Sequence, residues 1–300
     1  MNFHDLSRRD FLHRTAALAG AAWLSPALLS AAPKRTAADQ VALGKTGLKL
    51  SRLGFGAGSN SGNVQRNLGQ EGFNKLIHYA YDQGITWFDC AQSYRTFDWM
   101  AAAIKGLPRE KIFLQSKVSG KPEDVLAAID KQRKNYDTDY IDSMLVHCMV
   151  KDKWTDEFKH IMDGFAEAKS KKWIRAQGVS CHSLPALRAA TASDWTDVHL
   201  VRVNPQGHLM DTPEEKWNSE SKAIHVDPVL QEIKAMDKKG HGVIGMKLAG
   251  GGDFPNAEDR EKAMRFAMKQ PEIHTVVIGF KSTAEIDESI ERMNRALAEA

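Results

Sequence analysis

Four residues in this chain have types and spacings that together can move a proton to a carbonyl oxygen. Asp89 and Tyr94 lie five residues apart in GITWFDCAQSY, residues 84–94. Lys117 closes the apolar run IFLQSK, and His147 closes DSMLVH. An unperturbed phenol titrates near pH 10, far too high to give up its proton readily. A neighbouring ammonium favours the phenolate, so Lys117 is expected to lower the value for Tyr94. Asp89 is then the partner that fixes Lys117. His147 can orient a carbonyl by hydrogen bonding or relay the proton. None of the four carries a hydride. A reduction built on them therefore needs a reduced nicotinamide or an equivalent cofactor.

These groups can meet only if distant segments converge. Short β-branched or aromatic runs recur at Leu53–Gly56, Thr86–Asp89, Ile112–Ser116, Ile141–Val146, Ile174–Val179, Val198–Val203, Val243–Met246 and Thr275–Ile278. Helical stretches alternate with them: 72–82, 122–135, 156–169, 184–191, 228–239, 259–268 and 283–297. In the last, Ile286, Ile290 and Met293 share one face. Strands joined by helices pair in parallel. Polar or glycine residues close the runs at intervals mostly near thirty residues, and the first run is not followed by GxGxxG. The expected fold is an α/β (β/α)8 TIM barrel rather than an open dinucleotide-binding sheet. An N-terminal β-hairpin is expected before it, turning at Gly44–Gly47. In such a barrel the C-terminal strand ends converge on one face, which brings Asp89, Lys117 and His147 to a common mouth with Tyr94 in the adjoining loop. The polar segment Asp211–Ser221 is long enough to cover that mouth.

The 300 residues are 42% apolar and 26% charged, with a formal net charge of +3. That composition is globular and too weakly basic to suggest a nucleic-acid surface. Ser7-Arg8-Arg9-Asp10-Phe11-Leu12 precedes an Ala-rich apolar stretch, Thr15–Leu29, and then Ser30-Ala31-Ala32. Paired arginines before a short apolar segment read as a twin-arginine export signal over residues 1–32. A single domain over 33–300 follows. The expected partners are the export machinery and a small carbonyl substrate, the expected location is the periplasm, and the membrane is met only through the signal, with an uncleaved anchor open. Cys90, Cys148 and Cys181 fit no zinc or iron–sulfur spacing, so no metal is expected. An odd cysteine count leaves a thiol unpaired or bridged to another molecule.

From about residue 40 to 297 the chain resembles the aldo-keto reductases. The resemblance is carried by LGKTGLKLSRLGFG, GITWFDCAQSY, IFLQSK, DTDYIDSMLVH, WIRAQGVSCHS and TVVIGFKSTAEIDESI. It implies a barrel that binds an extended nicotinamide dinucleotide, with Tyr94 as the acid, Lys117 and Asp89 tuning it, and His147 aiding proton transfer. It also implies cofactor contacts from Ser180, Arg202, Leu248, Gly250, Gly279, Lys281 and Ser282. Three positions depart from the family pattern. Cys181 stands where asparagine is frequent, Arg202 where a glutamine usually meets the carboxamide, and Gly245-Met246-Lys247-Leu248 where an aromatic ring usually stacks. Lys281 favours NADPH, whereas Glu285 stands where arginine or glutamine is frequent and would repel a 2′-phosphate. The expected cofactor is NADP, with NAD open. Two competing readings remain: a nucleotide-binding protein that has lost turnover, and a barrel hydrolase or isomerase using His147 and Lys117. Substrate walls are expected at 60–67, 151–154 and after Asn204, with Trp154 and Trp217 as candidates for either pocket wall or packing.

Overall fold

The computed structural model describes residues 35–300; the export-signal reading of residues 1–32 lies outside the described residues. A short antiparallel pair, β1 (Gln40–Ala42) and β2 (Lys49–Ser51), comes first. Eight strands follow: β3 (Leu53–Gly56), β4 (Trp87–Asp89), β5 (Phe113–Val118), β6 (Ile141–Met149), β7 (Ile174–Cys181), β8 (Val198–Arg202), β9 (Gly242–Met246) and β10 (Thr275–Ile278). They close into a parallel barrel in chain order, and β10 pairs with β3 to complete the ring. The fold is a (β/α)8 barrel with an N-terminal hairpin.

The longer helices among the described residues are α1 (Gly69–Asp82), α2 (Phe97–Ile104), α3 (Val125–Asn135), α4 (Lys159–Ser170), α5 (Leu184–Ala192), α6 (Val226–Lys239), α7 (Ala257–Met268) and α8 (Thr283–Glu299). Each buries one stripe against the barrel, as α1 does with Phe73, Leu76, Ile77 and Ala80. Their starts are set by side-chain caps where the sequence provides them. Asp124 accepts from the Ala127 amide, Ser183 from Ala186 and Ser282 from Glu285. Helix α2 was not among the helices expected from the sequence.

Strand alternation sorts the side chains. Odd-numbered residues of β4, β5 and β6 point inward: Trp87 and Asp89, Phe113, Gln115 and Lys117, Leu145 and His147. The lower interior is apolar, with Trp87, Phe113, Leu145, Val198, Leu200 and Ile244 packed against Leu43, Leu48 and Leu50 of the hairpin. The hairpin thus plugs the N-terminal end of the barrel. The same alternation, two residues further along each strand, delivers polar groups to the opposite mouth.

Candidate active site

Register explains how Asp89 and Lys117 meet. Asp89 lies opposite Gln115 on β5, and Lys117 is two residues further toward the mouth on the same face. The lysine reaches back, with Nζ 2.6 and 2.8 Å from the two Asp89 carboxylate oxygens and 2.8 Å from the Cys90 carbonyl. Gln115 donates a further bond to Asp89 Oδ1 at 2.8 Å. All three are buried. Burial alone would lower the pKa of Lys117, but the Asp89 charge and then the Tyr94 oxygen raise it by more, so the ammonium persists.

Three hydrogen bonds therefore use up the Lys117 donors, and its charge faces the ring of Tyr94, 4.9 Å from the centroid. The Tyr94 hydroxyl lies 3.5 Å from His147 Nε2. His147 Nδ1 is 2.8 Å from Ser119 Oγ, which also bonds Ser93 Oγ at 3.0 Å. This chain of hydroxyls selects the imidazole tautomer. If Nδ1 donates to Ser119, Nε2 accepts from Tyr94; if Nδ1 accepts, the Nε2 proton faces the cleft. A contact of 3.5 Å is loose for a hydroxyl hydrogen bond, and a carbonyl oxygen entering beside it can take the donor from either ring.

The expected lowering of the Tyr94 pKa is overturned. Burial pushes it up to about 12, and the opposing pull of Lys117 is the smaller effect. At neutral pH the phenol holds its proton, which suits a donor and excludes a resting phenolate. His147 is pushed down to about 3 by burial and then by Lys117, so it is neutral as well.

Burial, and next in size Arg202, also holds His182 well below its ordinary value, as burial and then His241 do for His199. Unfolding returns each histidine to about 6.5. Below that pH the unfolded chain binds protons that the folded chain refuses, so stability falls as pH falls. Each histidine contributes up to about 1.4 kcal/mol per pH unit. Asp211 acts in the opposite direction. Burial raises it to about 6 against the pull of Arg202. The folded form therefore gains its proton first, which adds stability as pH drops from about 6 toward 4. Three histidines outweigh one aspartate. The melting temperature is expected to drop steadily from pH 6.5 to pH 5, and a flat profile would remove the neutral-histidine assignment.

A cleft of about 610 Å3 runs from this mouth. Its lining includes Asp89, Tyr94 and Gly58, Lys247 to Gly252 without Gly250, and Gly279, Lys281, Glu285 and Ser289. Of the residues anticipated as cofactor contacts, Leu248, Gly279 and Lys281 face this cleft and Ser180, Arg202, Gly250 and Ser282 do not. Ser180 is engaged locally, its hydroxyl accepting the Cys148 amide at 2.9 Å. That amide comes from a register break in β6 between Val146 and Met149, where Cys148 adopts φ 64°. Arg202 is buried and donates to Asp211 Oδ1 and to the His182 carbonyl, which anchors the start of the 211–221 segment. Ser282 is spent on the α8 cap, and Glu285 accepts the Lys281 amide at 2.9 Å. The protein's own carboxylate therefore occupies the N-terminal end of α8, where an anion is favoured.

A cleft lined by backbone of a glycine run and by Lys281, with Tyr94 in the same wall, has the donors a dinucleotide's phosphates need. The Gly250–Gly252 run has φ values of 61°, 73° and 113°, a conformation that glycine adopts without strain, and Gly251 and Gly252 line the groove. Several neighbours of the site had no signal of their own in the sequence, among them Gly58, Ser93, Gln115 and Ser119. Trp154 is buried packing, its indole N–H donating to the Ala186 carbonyl, whereas Trp217 is 57% exposed beside His182. The three cysteines are free thiols; Cys90 and Cys181 are buried.

A closed parallel barrel with an Asp–Lys pair, a phenol and an imidazole at its mouth defines a class, and comparison with known proteins agrees. The profile of the aldo/keto reductase family matches residues 52–264, so this chain belongs to that family of oxidoreductases, whose members generally use NAD(P)H. It is similar to the aldehyde reductase of Saccharomyces cerevisiae, 26% identical over 62% of this chain and 60% of that protein. It is also similar to the glyoxal reductase of Bacillus subtilis, 33% identical over 35% of this chain and 38% of that protein. The matched stretches thus span less than two thirds of these relatives. An aldo-keto reductase from Bacillus halodurans, solved in its holo form, superposes with a TM-score of 0.68 at 15% identity, covering 87% of this chain and 95% of that one. At that identity the likeness is one of fold.

Proposed function

We propose that the protein reduces an aldehyde, ketone or quinone to an alcohol, taking hydride from NAD(P)H and a proton from Tyr94. The observation that carries the reading is the protonated Tyr94 hydroxyl in the wall of a cleft of about 610 Å3, with neutral His147 3.5 Å away and charged Lys117 against its ring. The nicotinamide, when bound, supplies the hydride. Tyr94 then gives its proton to the carbonyl oxygen, Lys117 stabilises the negative charge that develops on the phenolic oxygen, and Asp89 with Gln115 keeps the ammonium in place. His147 orients the carbonyl from the second side.

Lys281 supports NADP as the cofactor, as the sequence suggested. The Glu285 carboxylate at the N-terminus of α8, 3.6 Å from Lys281 Nζ, weakens that preference and favours NAD(H). The Arg8-Arg9 pair supports export by the twin-arginine route as a folded protein. One preparation tests these points: the chain expressed with its leader and recovered from the periplasmic fraction. Quenching of its tryptophan fluorescence by NADH and NADPH, followed by loss of nicotinamide absorbance with small aldehydes or quinones, supports the reading. Recovery from the cytoplasm alone sinks the export proposal, and binding without turnover of any carbonyl sinks the reductase. Glu285→Gln is expected to shift the ratio of NADPH to NADH affinity toward NADPH by about fivefold to tenfold, the scale of one charge interaction in a half-exposed groove. An unchanged ratio removes Glu285 from cofactor choice.

A further inference from the structure

The buried stripe of α3 is broken by a polar residue. Val125, Ile129 and Gln132 share the face that packs inward, and Gln132 is 1% exposed. A glutamine in such a place is destabilising unless its amide is bonded. This one is bonded three times. Oε1 accepts from the Ser116 hydroxyl, and Nε2 donates to the Lys117 carbonyl at 3.3 Å and to Gln92 Oε1 at 3.0 Å. Both amide hydrogens are thereby used.

The bond to Gln92 crosses to the segment that carries the acid. Residues 91–94 form a turn closed by the Tyr94 amide on the Ala91 carbonyl at 3.0 Å, with Gln92 and Ser93 at its centre. Gln92 is tied at three points. Its backbone amide donates to the Lys117 carbonyl at 3.3 Å, its Nε2 donates to the Ser119 carbonyl at 3.3 Å, and its Oε1 accepts from Gln132. The Lys117 carbonyl thus receives both glutamines, so one buried amide fixes the backbone of the lysine and the turn of the tyrosine together. The Tyr94 hydroxyl has a single loose partner at 3.5 Å and cannot hold itself in place. Its position relative to Lys117 and His147 is set by the backbone that presents it.

We propose that Gln132 is a positioning residue for the reduction: from behind the reacting groups it clamps the 91–94 turn to the end of β5 and so sets where the Tyr94 hydroxyl stands. The inference rests on the reductase reading for its effect on rate, and on the hydrogen bonds alone for its effect on the turn.

The test uses the full chain as wild type, Gln132→Met, Gln92→Leu and the double variant. Gln132→Met keeps the length and approximate volume of the side chain and removes its bonds. Amide hydrogen exchange across 91–95 is followed by mass spectrometry without cofactor or substrate, and kcat, KM for a small aldehyde and dinucleotide affinity are measured separately. The expected result in Gln132→Met is exchange at 91–95 faster by tenfold or more, with β6 and β7 unchanged. Turnover should fall about tenfold to hundredfold while KM and dinucleotide affinity stay within about threefold. Gln92→Leu should reproduce both effects, and the double variant should be no worse than the poorer single one. A merely structural role would speed exchange throughout and leave kcat of the folded fraction unchanged. Exchange at 91–95 within twofold of wild type in Gln132→Met overturns the proposal, as does retention of more than half the wild-type kcat. If the wild type reduces no carbonyl, the reductase reading fails and the exchange rates alone uphold or overturn the clamp. Should Gln132→Met not fold, Gln92→Leu, at the half-buried end of the same bond, carries both readouts.

Discussion

Tyr94→Phe is expected to lower turnover by about 10²- to 10⁴-fold while dinucleotide binding stays within a few-fold of wild type. The loss corresponds to roughly 3–5 kcal/mol of transition-state stabilisation. The substitution removes one oxygen and leaves the ring that packs beside Gly58 and under Lys117. The lost oxygen has one loose partner, His147 Nε2 at 3.5 Å, so the change in stability should be about 1 kcal/mol or less. That separation makes Tyr94 a better probe than Lys117. Removing the lysine strands the buried Asp89 carboxylate, which costs about 3–5 kcal/mol of stability and confounds any rate measurement. Initial rates of nicotinamide absorbance loss at saturating cofactor and aldehyde decide the matter, and full turnover by Tyr94→Phe would show that another group supplies the proton.

Gly58→Ala should cost about 10²-fold in turnover without touching any group that reacts. A Cβ at position 58 would lie 2.3 Å from Tyr94 Cε2, 2.5 Å from Cζ and 2.9 Å from the hydroxyl. The backbone there, φ −106°, is open to alanine, so the effect is purely steric. The Tyr94 ring must give way by about 1 Å to restore ordinary contact, and displacements of that size at a reacting group cost about two orders of magnitude. If the alanine acts only through the phenol, adding it to Tyr94→Phe should cost little more, a non-additivity expected of residues in contact. Rates for the two single variants and the double variant measure this. Retention of more than half the wild-type rate by Gly58→Ala would mean that Tyr94 can deliver its proton from a displaced position.

The barrel was legible because its signal is repetitive: each strand is a short apolar run closed by a polar residue or glycine, and the period-two alternation carries the same parity from Trp87 to Asp89 and from Phe113 to Lys117. The convergence of Asp89, Lys117 and His147 follows from topology alone. Helix α2 escaped because FDWMAAAI is short and apolar on nearly every side, so it shows no helical stripe. Gly58, Gln115 and Ser119 escaped because their importance is a distance to another chain segment, which no local pattern encodes. Arg202 is expected as a cofactor contact from its position in the family pattern, and its pairing with Asp211 had no signal because Asp211 lies in a loop whose path the strand pattern leaves open. The sign of the Tyr94 shift was misread for a related reason: the charge of Lys117 is visible in the sequence, whereas the burial that outweighs it belongs to the assembled mouth.

The pairing of β10 with β3 has a consequence for how the chain acquires its shape. Val276 registers with Leu53 across more than two hundred residues, so the circle has no seal until β10 is available. A nascent chain in which β10 has yet to form presents two raw strand edges, on β3 and β9, each able to recruit a neighbouring molecule. Such long-range closure is slow compared with local helix formation. The interval between forming β9 and docking β10 on β3 is therefore the one in which the chain is most prone to aggregate.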